Sequence, residues 1–274
     1  MPNIREKPCL SVLSESALAD YALNPYTGCL HGCVYCYARF MRRFSGHREP
    51  WGEFLDVKVN APLVLAREAK KKPRGEVFIS SVCDAWQPPE ARYRLTRQCL
   101  KILVEEGFTL RILTKSSLIL RDLDILRGYP DVLVGFTVTT TNGELGKIME
   151  PGASGADDRI MALEKLRDNG IKAWAFLGPL LPFFSDSEDS INALLKAISP
   201  MELELIYIDK LNNRPGVWPS LRPILKRYYP WLLEPYIRLL FHPGESKRYS
   251  HALKERVTEV ARGHRVEGKL SFCF

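Results

Sequence analysis

Apolar, β-rich runs alternate with helical patterns along the chain, and this alternation restricts the fold more than any other feature of the sequence. Because these runs are too apolar to leave one face in water, we predict that they form buried strands. They cover residues 76–82, 109–114, 132–138, 172–178 and 203–208. Repeated strand–helix units predict an α/β fold with a parallel sheet, either barrel-like or doubly wound.

Two of the intervening helices have recognisable ends. Thr96 precedes one helical pattern and Asp157 opens the other, and side chains of these types commonly cap helix N-termini. Gly107 and Gly170 follow the two patterns, and glycine readily adopts the left-handed conformation that ends a helix. We therefore expect one helix between Thr96 and Gly107 and another between Asp157 and Gly170.

The loops after the predicted strands carry more reactive side chains than the loops before them. These side chains include Asp84, Lys115, Ser116, Thr139, Thr140, Thr141, Asp209 and Lys210. In folds built from strand–helix units, the active site lies at the carboxyl ends of the parallel strands. We expect the functional site at this rim of the sheet, together with the cysteine-rich segment that precedes a helical stretch near Tyr37.

That segment, GCLHGCVYCYAR at residues 28–39, contains Cys29, Cys33 and Cys36, three of the seven cysteines of the chain. A structural zinc site needs four ligands, usually as two pairs, and the other cysteines form no second pair. His31 offers a fourth ligand, but it sits between two of the cysteines in a tight loop. Three thiolates can instead bind three irons of a [4Fe–4S] cluster and leave one iron open. The spacing favours such a cluster over zinc.

Composition argues against several other classes of protein. No apolar run approaches the ~20 residues that cross a bilayer, and the N-terminus lacks a signal peptide's apolar stretch, so we expect a cytoplasmic protein with no membrane partner. Seven cysteines, an odd number, argue against a disulfide framework. The net charge of +7 is compatible with a nucleic-acid partner without requiring one.

Several motifs, in order, resemble the spore photoproduct lyase branch of the radical SAM superfamily. They are CVYCYA (33–38), ILTKSS (112–117), the segment from Met149 to Gly170 that begins MEPGAS, and GPLLP (178–182). The resemblance runs from about Asn24 to Phe183. It implies a partial (βα)6 TIM-type barrel of the radical SAM type over residues 21–212. An N-terminal extension over 1–20 would precede this barrel, and a helical C-terminal cap over 213–274 would follow it.

The resemblance also implies two cofactors. In that family the open iron of a [4Fe–4S] cluster binds the amino and carboxylate groups of S-adenosylmethionine (SAM). An electron from the reduced cluster then splits the sulfonium and releases a 5′-deoxyadenosyl radical. By this resemblance Cys29, Cys33 and Cys36 ligate the cluster, and a reducing partner such as flavodoxin or ferredoxin supplies the electron.

Side chains around the cluster acquire roles in the same way. Tyr35 would lie near the adenine of SAM, Lys115 would pair with the SAM carboxylate, and Arg159 would pair with Glu150. Thr137 stands where the lyases have a serine that touches SAM. The candidates for SAM binding are Tyr35, Ser81, Asp84, Lys115, Thr137, Thr139, Glu150 and Arg159.

Lyases of this branch repair a thymine dimer with a hydrogen-donor cysteine and two tyrosines. Tyr35 and Tyr37 match the tyrosines and Cys83 lies near the position of the donor, so these three are the catalytic candidates. The chain departs from the lyases in that only 28 residues precede Cys29 and its C-terminal part matches no DNA-binding element. There, residues 225–243 mix basic and aromatic side chains, as single-strand stacking surfaces do, but their apolar density favours a packed helical cap. We expect a short relative of the lyase.

The function indicated is radical SAM chemistry for the repair or modification of a nucleic-acid base. A small-molecule or peptide substrate is the alternative within this class of enzyme. The alternative from another class is a zinc-stabilised nucleic-acid-binding protein without turnover.

Overall fold

The structure, a computed structural model, describes residues 2–274. Its strands are β1 (Asn3–Lys7), β2 (Leu13–Glu15), β3 (Tyr21–Leu23), β4 (Tyr26–Thr27), β5 (Phe54–Lys58), β6 (Glu76–Ile79), β7 (Thr109–Thr114), β8 (Val132–Thr137), β9 (Lys172–Leu180), β10 (Ile206–Lys210) and β11 (Leu270–Phe272). Its α-helices are α1 (Ala61–Ala69), α2 (Glu90–Tyr93), α3 (Leu95–Glu105), α4 (Leu123–Leu126), α5 (Gly143–Met149), α6 (Ala156–Asp168), α7 (Glu188–Ile198), α8 (Val217–Tyr228), α9 (Leu233–Phe241) and α10 (Pro243–Gly263). A 3-10 helix, Tyr37–Phe44, follows the three clustered cysteines.

The main sheet has the strand order β11-β10-β9-β8-β7-β6-β3-β2. Neighbouring strands pair in parallel, except that β2 runs antiparallel to β3. Six consecutive parallel strands, β3 and β6 to β10, form the partial barrel, and β11 adds a parallel strand at one edge. Because the described strands pair in a row that ends at β11 and β2, the sheet is open. The predicted α/β class with a parallel sheet is confirmed.

All the predicted strands are present with small shifts at their ends. Strand β7 has the predicted bounds, and β8 and β9 begin where predicted. Strand β6 ends at Ile79 instead of residue 82, because Ser80 adopts a φ of 77° and turns the chain out of the sheet. Strand β10 begins at Ile206, although the preceding Leu203 is buried in the core.

The prediction that Thr96 caps a helix is wrong. The Thr96 hydroxyl lies inside α3 and donates to the carbonyl of Ala85 (2.7 Å) instead of accepting a helix N–H. The carboxylate of the buried Glu90 accepts the N–H groups of Thr96 (3.1 Å) and Arg97 (3.2 Å). The side chain of Glu90 therefore satisfies two N–H groups at the N-terminus of α3. It can do so because a glutamate side chain is long enough to fold back over the first turn of the helix.

The prediction that Asp157 caps α6 is also wrong. The N-cap residue is Gly155, and Asp157 lies in the first turn, where its negative charge favours the helix dipole without accepting the capping bond. The predicted ends of both helices are confirmed, since Gly107 and Gly170 have positive φ angles of 74° and 72° just beyond them.

The terminal segments are integrated into the sheets. Residues 213–274 are largely helical, as predicted, but they end in β11, which pairs with β10. At the other end, β2 extends the main sheet, and β1 pairs with β5 in a small sheet of order β1-β5-β4. No pattern in the sequence predicts these short strands.

Alternation along the strands separates the core from the functional cavity. On β7, Leu110 and Ile112 point outward into the apolar core beneath the helices. Arg111 and Leu113 point to the opposite, inner face and line a cavity. Strand alternation therefore gives the fold an apolar outer face for packing and an inner face on which polar side chains can act.

Candidate active site

A cavity of about 380 Å³ lies on the inner face of the main sheet. The carboxyl-terminal parts of the parallel strands and the cysteine loop, residues 28–36, enclose it. The side chains that line it include Cys29, Cys33, Cys36, Cys83, Lys115 and Thr137. The structure therefore brings the three clustered cysteines to the same space as residues at the carboxyl ends of strands β6, β7 and β8.

Backbone hydrogen bonds from distant segments hold the cysteine loop. The N–H of Val34 donates to the carbonyl of Met149 (2.8 Å), and the N–H of Gly152 donates to the carbonyl of His31 (3.0 Å). The side chain of Gln87, which is fully buried, accepts the N–H of Leu30 (2.8 Å). These contacts fix the path of the loop independently of any bound group.

The three cysteine sulfurs are buried or half-buried at the cavity wall. Burial raises the pKa of Cys33 to about 12 and raises the pKa of Cys29 and Cys36 as well, so without a metal these side chains are neutral thiols. The N–H of Asp84 donates to the Cys29 sulfur (3.5 Å). Hydrogen bonds of this kind stabilise thiolates that ligate iron–sulfur clusters.

The donor set fits a cluster better than a single ion. Within residues 2–274, no three His, Cys, Asp or Glu side chains are placed around one point so that they could hold a metal ion. His31, the fourth ligand of the zinc alternative, instead has its Nδ1 3.5 Å from Asp84 Oδ2. Each thiolate of a [4Fe–4S] cluster binds a different iron, so the cysteines of such a cluster need not converge on one point.

A buried polar network joins the cysteine loop to strand β8 and helix α6. The Tyr35 hydroxyl donates to the Glu150 carboxylate and lies 3.0 Å from Thr139 Oγ1. The Arg159 guanidinium pairs with the same carboxylate and donates to the carbonyl of Thr137 (2.9 Å). The resemblance implied the pair between Arg159 and Glu150, and the structure contains it. Because Arg159 and Glu150 are both buried, this ion pair is shielded from water.

Lys115 presents its ammonium group to the cavity. Its Nζ lies 5.9 Å from the centre of the Tyr35 ring, which places a positive charge above the cysteine loop. Thr137 is the last residue of the next strand, β8, and lines the cavity, whereas Thr139 lies two residues beyond the strand, buried beside the Tyr35 hydroxyl. The structure thus gathers Tyr35, Lys115 and Thr137 at the cavity wall.

Asp84 and Ser81 are hydrogen-bonded to neighbouring protein groups. Asp84 accepts from the hydroxyl of Thr114 (2.8 Å) and from the N–H of Lys115 (2.7 Å), so it fixes the loop that carries Lys115. Ser81 accepts a hydrogen bond at its hydroxyl from Asn24 Nδ2 (2.8 Å), and its carbonyl accepts from the Tyr37 hydroxyl. In this structure both candidates orient their neighbours.

Cys83 lines the cavity from the loop after β6. Its sulfur is 3.6 Å from Asn24 Oδ1 and 3.6 Å from the carbonyl of Tyr26. Burial raises the pKa of Cys83 to about 12, which keeps the S–H bond intact at neutral pH. The half-exposed Tyr37 lines the same cavity. Cys83 and Tyr37 are therefore the catalytic candidates with access to a ligand there.

Sequence reasoning missed three residues that support the loop. Gln87 accepts from Leu30, and Arg39 Nη2 donates to the carbonyls of Gly32 (3.3 Å) and Cys33 (2.8 Å). Trp51 packs in the apolar cluster that includes Cys29 and Cys83. Their roles depend on contacts with a loop elsewhere in the chain, and no local pattern in the sequence marks them.

Comparison with known proteins identifies the family. The model of the radical SAM superfamily matches residues 23–195, which contain the cysteine loop and strands β6 to β9 of the main sheet. The chain belongs to the radical SAM superfamily. Membership implies an enzyme that uses SAM and a [4Fe–4S] cluster, and the cysteine loop is the segment whose donors fit that cluster.

Relatives within the superfamily cover the chain in part. An uncharacterized protein of Methanocaldococcus jannaschii is 40% identical over 170 residues, which are 62% of this chain and 64% of that protein. This chain therefore matches less than two thirds of the length of that relative. The radical SAM Nalpha-GlyT isomerase of Pseudomonas phage M6 is 28% identical over 187 residues, 68% of this chain and 37% of that protein.

Among solved structures, a variant of spore photoproduct lyase with bound AdoMet and dinucleoside spore photoproduct is similar to this radical SAM chain. The TM-score is 0.66 at 17% identity, over 94% of this chain and 78% of that chain. This likeness shows a shared fold, and together with the family match it confirms the resemblance stated from the sequence. None of the described helices combines the length and the apolarity that a membrane span requires.

Proposed function

We propose that this protein cleaves SAM reductively at a [4Fe–4S] cluster held by Cys29, Cys33 and Cys36, and that it acts on a nucleic-acid base. Together, the bound cluster and SAM supply a 5′-deoxyadenosyl radical that abstracts hydrogen from a substrate. The observation that carries this proposal is the single cavity that the three cysteines share with Lys115 and Cys83.

The side chains around the cavity suit the binding of SAM. The ammonium of Lys115 is a charge-assisted donor for the carboxylate of SAM. The Tyr35 ring lies beneath Lys115, and its hydroxyl is committed to Glu150, so the ring is held rigidly for contact with a flat group. The role of Tyr35 in this proposal is to bind and position.

Cys83 suits the role of a hydrogen donor to the substrate. It is buried, protonated and separated from the cysteine loop in sequence, while it lines the same cavity. The Tyr37 hydroxyl donates to the carbonyl of Ser81, two residues before Cys83, and this contact supports a role for Tyr37 in passing a hydrogen atom within this part of the cavity.

One comparison supports a nucleic-acid substrate. The lyase variant that shares the fold is bound to a dinucleoside spore photoproduct. The name of the phage relative, a radical SAM isomerase, supports the class of enzyme. The net charge of +7 adds a favourable field for a polyanion. At the end of α8 the Arg227 guanidinium lies over the ring of the exposed Tyr228, and the exposed Trp231 follows before α9. Basic and aromatic side chains combined in this way stack on single strands in other proteins.

The first experiment measures 5′-deoxyadenosine after anaerobic reconstitution with iron and sulfide, in the presence of SAM and dithionite. We expect a brown protein that releases 5′-deoxyadenosine, and loss of both properties in Cys36→Ala. The matched control is Cys99→Ala, because Cys99 is fully buried in α3 and away from the cavity, and it should keep both. A colourless protein that binds zinc, or release of 5′-deoxyadenosine by Cys36→Ala, would reject the proposal.

A substrate screen follows with the active protein. UV-irradiated DNA and dinucleosides are compared with unirradiated DNA and with peptides, and flavodoxin or ferredoxin replaces dithionite as the electron source. A nucleic-acid substrate predicts that 5′-deoxyadenosine release increases with the nucleic acid and that a modified base appears. A response to peptides alone would favour the alternative, a radical SAM enzyme with a peptide substrate.

A further inference from the structure

One segment packs closely against the cysteine loop from outside the cavity. We call residues 51–54 the buttress segment. Gly52 adopts a φ of 101°, and a Cβ at this position would lie 2.8 Å from the Cα of Gly32. The two backbones therefore touch, and the buttress segment fixes where Trp51 stands relative to the cysteines.

Trp51 turns its indole toward a cysteine of the loop. The side chain is 5% exposed and makes an edge-to-face contact with Phe54, with ring centres 5.8 Å apart. The indole belongs to the apolar cluster against which Cys36 packs, with its N–H beside the Cys36 sulfur. That N–H is fully buried, and within residues 2–274 it has no hydrogen-bond acceptor in good geometry.

A buried indole N–H normally has an acceptor, because leaving a buried donor unsatisfied costs about 1–3 kcal/mol. A neutral thiol accepts hydrogen bonds weakly, whereas a thiolate is charged and accepts strongly. A Cys36 thiolate that ligates iron would give this buried donor an acceptor. The backbone N–H of Asp84 likewise donates to the sulfur of Cys29 (3.5 Å).

We propose that Trp51 is a positioning residue that donates its indole N–H to the Cys36 thiolate, holds that ligand on the cluster and raises the reduction potential of the cluster. The inference rests on the cluster of the proposed function. The effect on the potential follows from charge, since reduction adds an electron to the cluster and a donor aimed at its ligand stabilises the more negative state.

The test uses the reconstituted holoprotein and the variant Trp51→Phe, which keeps an aromatic ring against Phe54 and removes the N–H. An EPR-monitored redox titration gives the midpoint potential. Outer hydrogen bonds to metal ligands commonly change binding or activity at least tenfold. We expect a change of about tenfold in the reduction equilibrium, which is a shift of about 59 mV toward negative potential for one electron.

A matched control separates the hydrogen bond from loss of an indole. Trp174 is also buried, lines the cavity and has an unpartnered N–H, but it belongs to β9. Trp174→Phe should leave the potential unchanged. Phe54→Leu alters the packing of the buttress segment and keeps the Trp51 N–H, so it should move the potential far less than Trp51→Phe.

Protein labelled with ¹⁵N at the indole nitrogens gives a second readout that does not depend on activity. Pulsed EPR of the reduced cluster should detect a coupled indole nitrogen in the parent and in Trp174→Phe, and none in Trp51→Phe. If Trp51→Phe fails to retain a cluster, persistence of the coupling in labelled Trp174→Phe and Phe54→Leu still supports the assignment.

Several outcomes overturn the inference. The first is the absence of an indole coupling in the labelled parent. The second is an unchanged midpoint potential in Trp51→Phe, and the third is a shift in Phe54→Leu as large as the shift in Trp51→Phe. A parent protein that binds no [4Fe–4S] cluster rejects the proposed function itself. A parent with a normal cluster that is insensitive to Trp51 rejects this inference alone.

Discussion

Replacing Arg159 by Gln tests the buried network beneath the cavity. Arg159 is 2% exposed and makes three contacts there. It pairs with the Glu150 carboxylate, donates through Nη1 to the carbonyl of Thr137 (2.9 Å) and donates through Nε to the carbonyl of Ser154 (2.8 Å). The substitution leaves the Glu150 charge buried without its partner and removes donors from the two carbonyls.

We expect Arg159→Gln to lower the free energy of unfolding by about 3–5 kcal/mol, since removal of one member of a buried ion pair leaves an uncompensated charge. The matched control lies on the same helix. Arg167 pairs with Glu204 at 3.6 Å, with the two side chains 26% and 48% exposed. Arg167→Gln should change the free energy of unfolding by less than about 1 kcal/mol, because water screens exposed pairs.

The difference in free energy of unfolding between the parent and Arg159→Gln should depend on pH in a defined direction. Burial pushes the pKa of Glu150 upward, but the charges of Arg159 and Lys115 outweigh it, so the pKa lies below its usual value of 4.5. A depressed carboxyl pKa stabilises the fold above the unfolded-state pKa, and this contribution is lost as the pH falls through the lower folded-state value. Without Arg159, burial raises the pKa of Glu150. The difference in free energy of unfolding between parent and variant should therefore be largest near neutral pH and should decrease below pH 4.5.

The assay is equilibrium urea unfolding of the parent, Arg159→Gln, Glu150→Gln and the double variant, at neutral pH and at acidic pH. The double variant should be more stable than the sum of the two single losses predicts, because it buries no unpaired charge. Additive losses, or a loss below about 1 kcal/mol in Arg159→Gln, would show that the pair does not carry the stability argued from its burial.

Three further outcomes are expected. Cys83→Ala should release 5′-deoxyadenosine at the parental rate and form little product, and normal product yield would remove Cys83 from the mechanism. Lys115→Met should weaken SAM binding at least tenfold by calorimetry, since it removes a charge-assisted contact worth at least ~1.5 kcal/mol, and unchanged affinity would exclude the pair with the SAM carboxylate. Gly135→Ala should lower the free energy of unfolding by about 1–3 kcal/mol, because the added Cβ would lie 2.2 Å from the Trp174 ring, and parental stability would show that this ring moves easily.

The parts of the fold that the sequence predicted are those with strong local patterns. Strands β7 and β9 are long, apolar runs between clear helical segments, and both were found. Strand β11 was missed because it is three residues long and half-buried, and its place in the sheet depends on pairing with β10. The Thr96 cap was wrong because the chain turns so that Glu90 reaches the helix N-terminus first.

The candidate site divides in the same way. The cysteine spacing and Lys115 were visible because motifs carry them, and the pair between Glu150 and Arg159 followed from the resemblance. The hydrogen bonds of Asp84 to Thr114 and Lys115 could not be predicted, since they join segments about thirty residues apart through a turn whose geometry the sequence leaves open. Trp51 had no signal, because its relation to Cys36 exists only after the buttress segment folds against the loop.

The cysteine loop is organised so that its shape does not depend on the cluster it is proposed to bind. Its backbone is tied to Met149 and Gly152 on one side and to Gln87 on another, through bonds that involve no cysteine sulfur. The thiols are neutral in the metal-free protein, so they pack with the apolar clusters around them without charge repulsion. Cluster assembly must then exchange protons for iron, which favours loading as the pH rises. The folded protein thus holds the ligands in place beforehand, and the binding free energy of the cluster is not consumed in folding the loop.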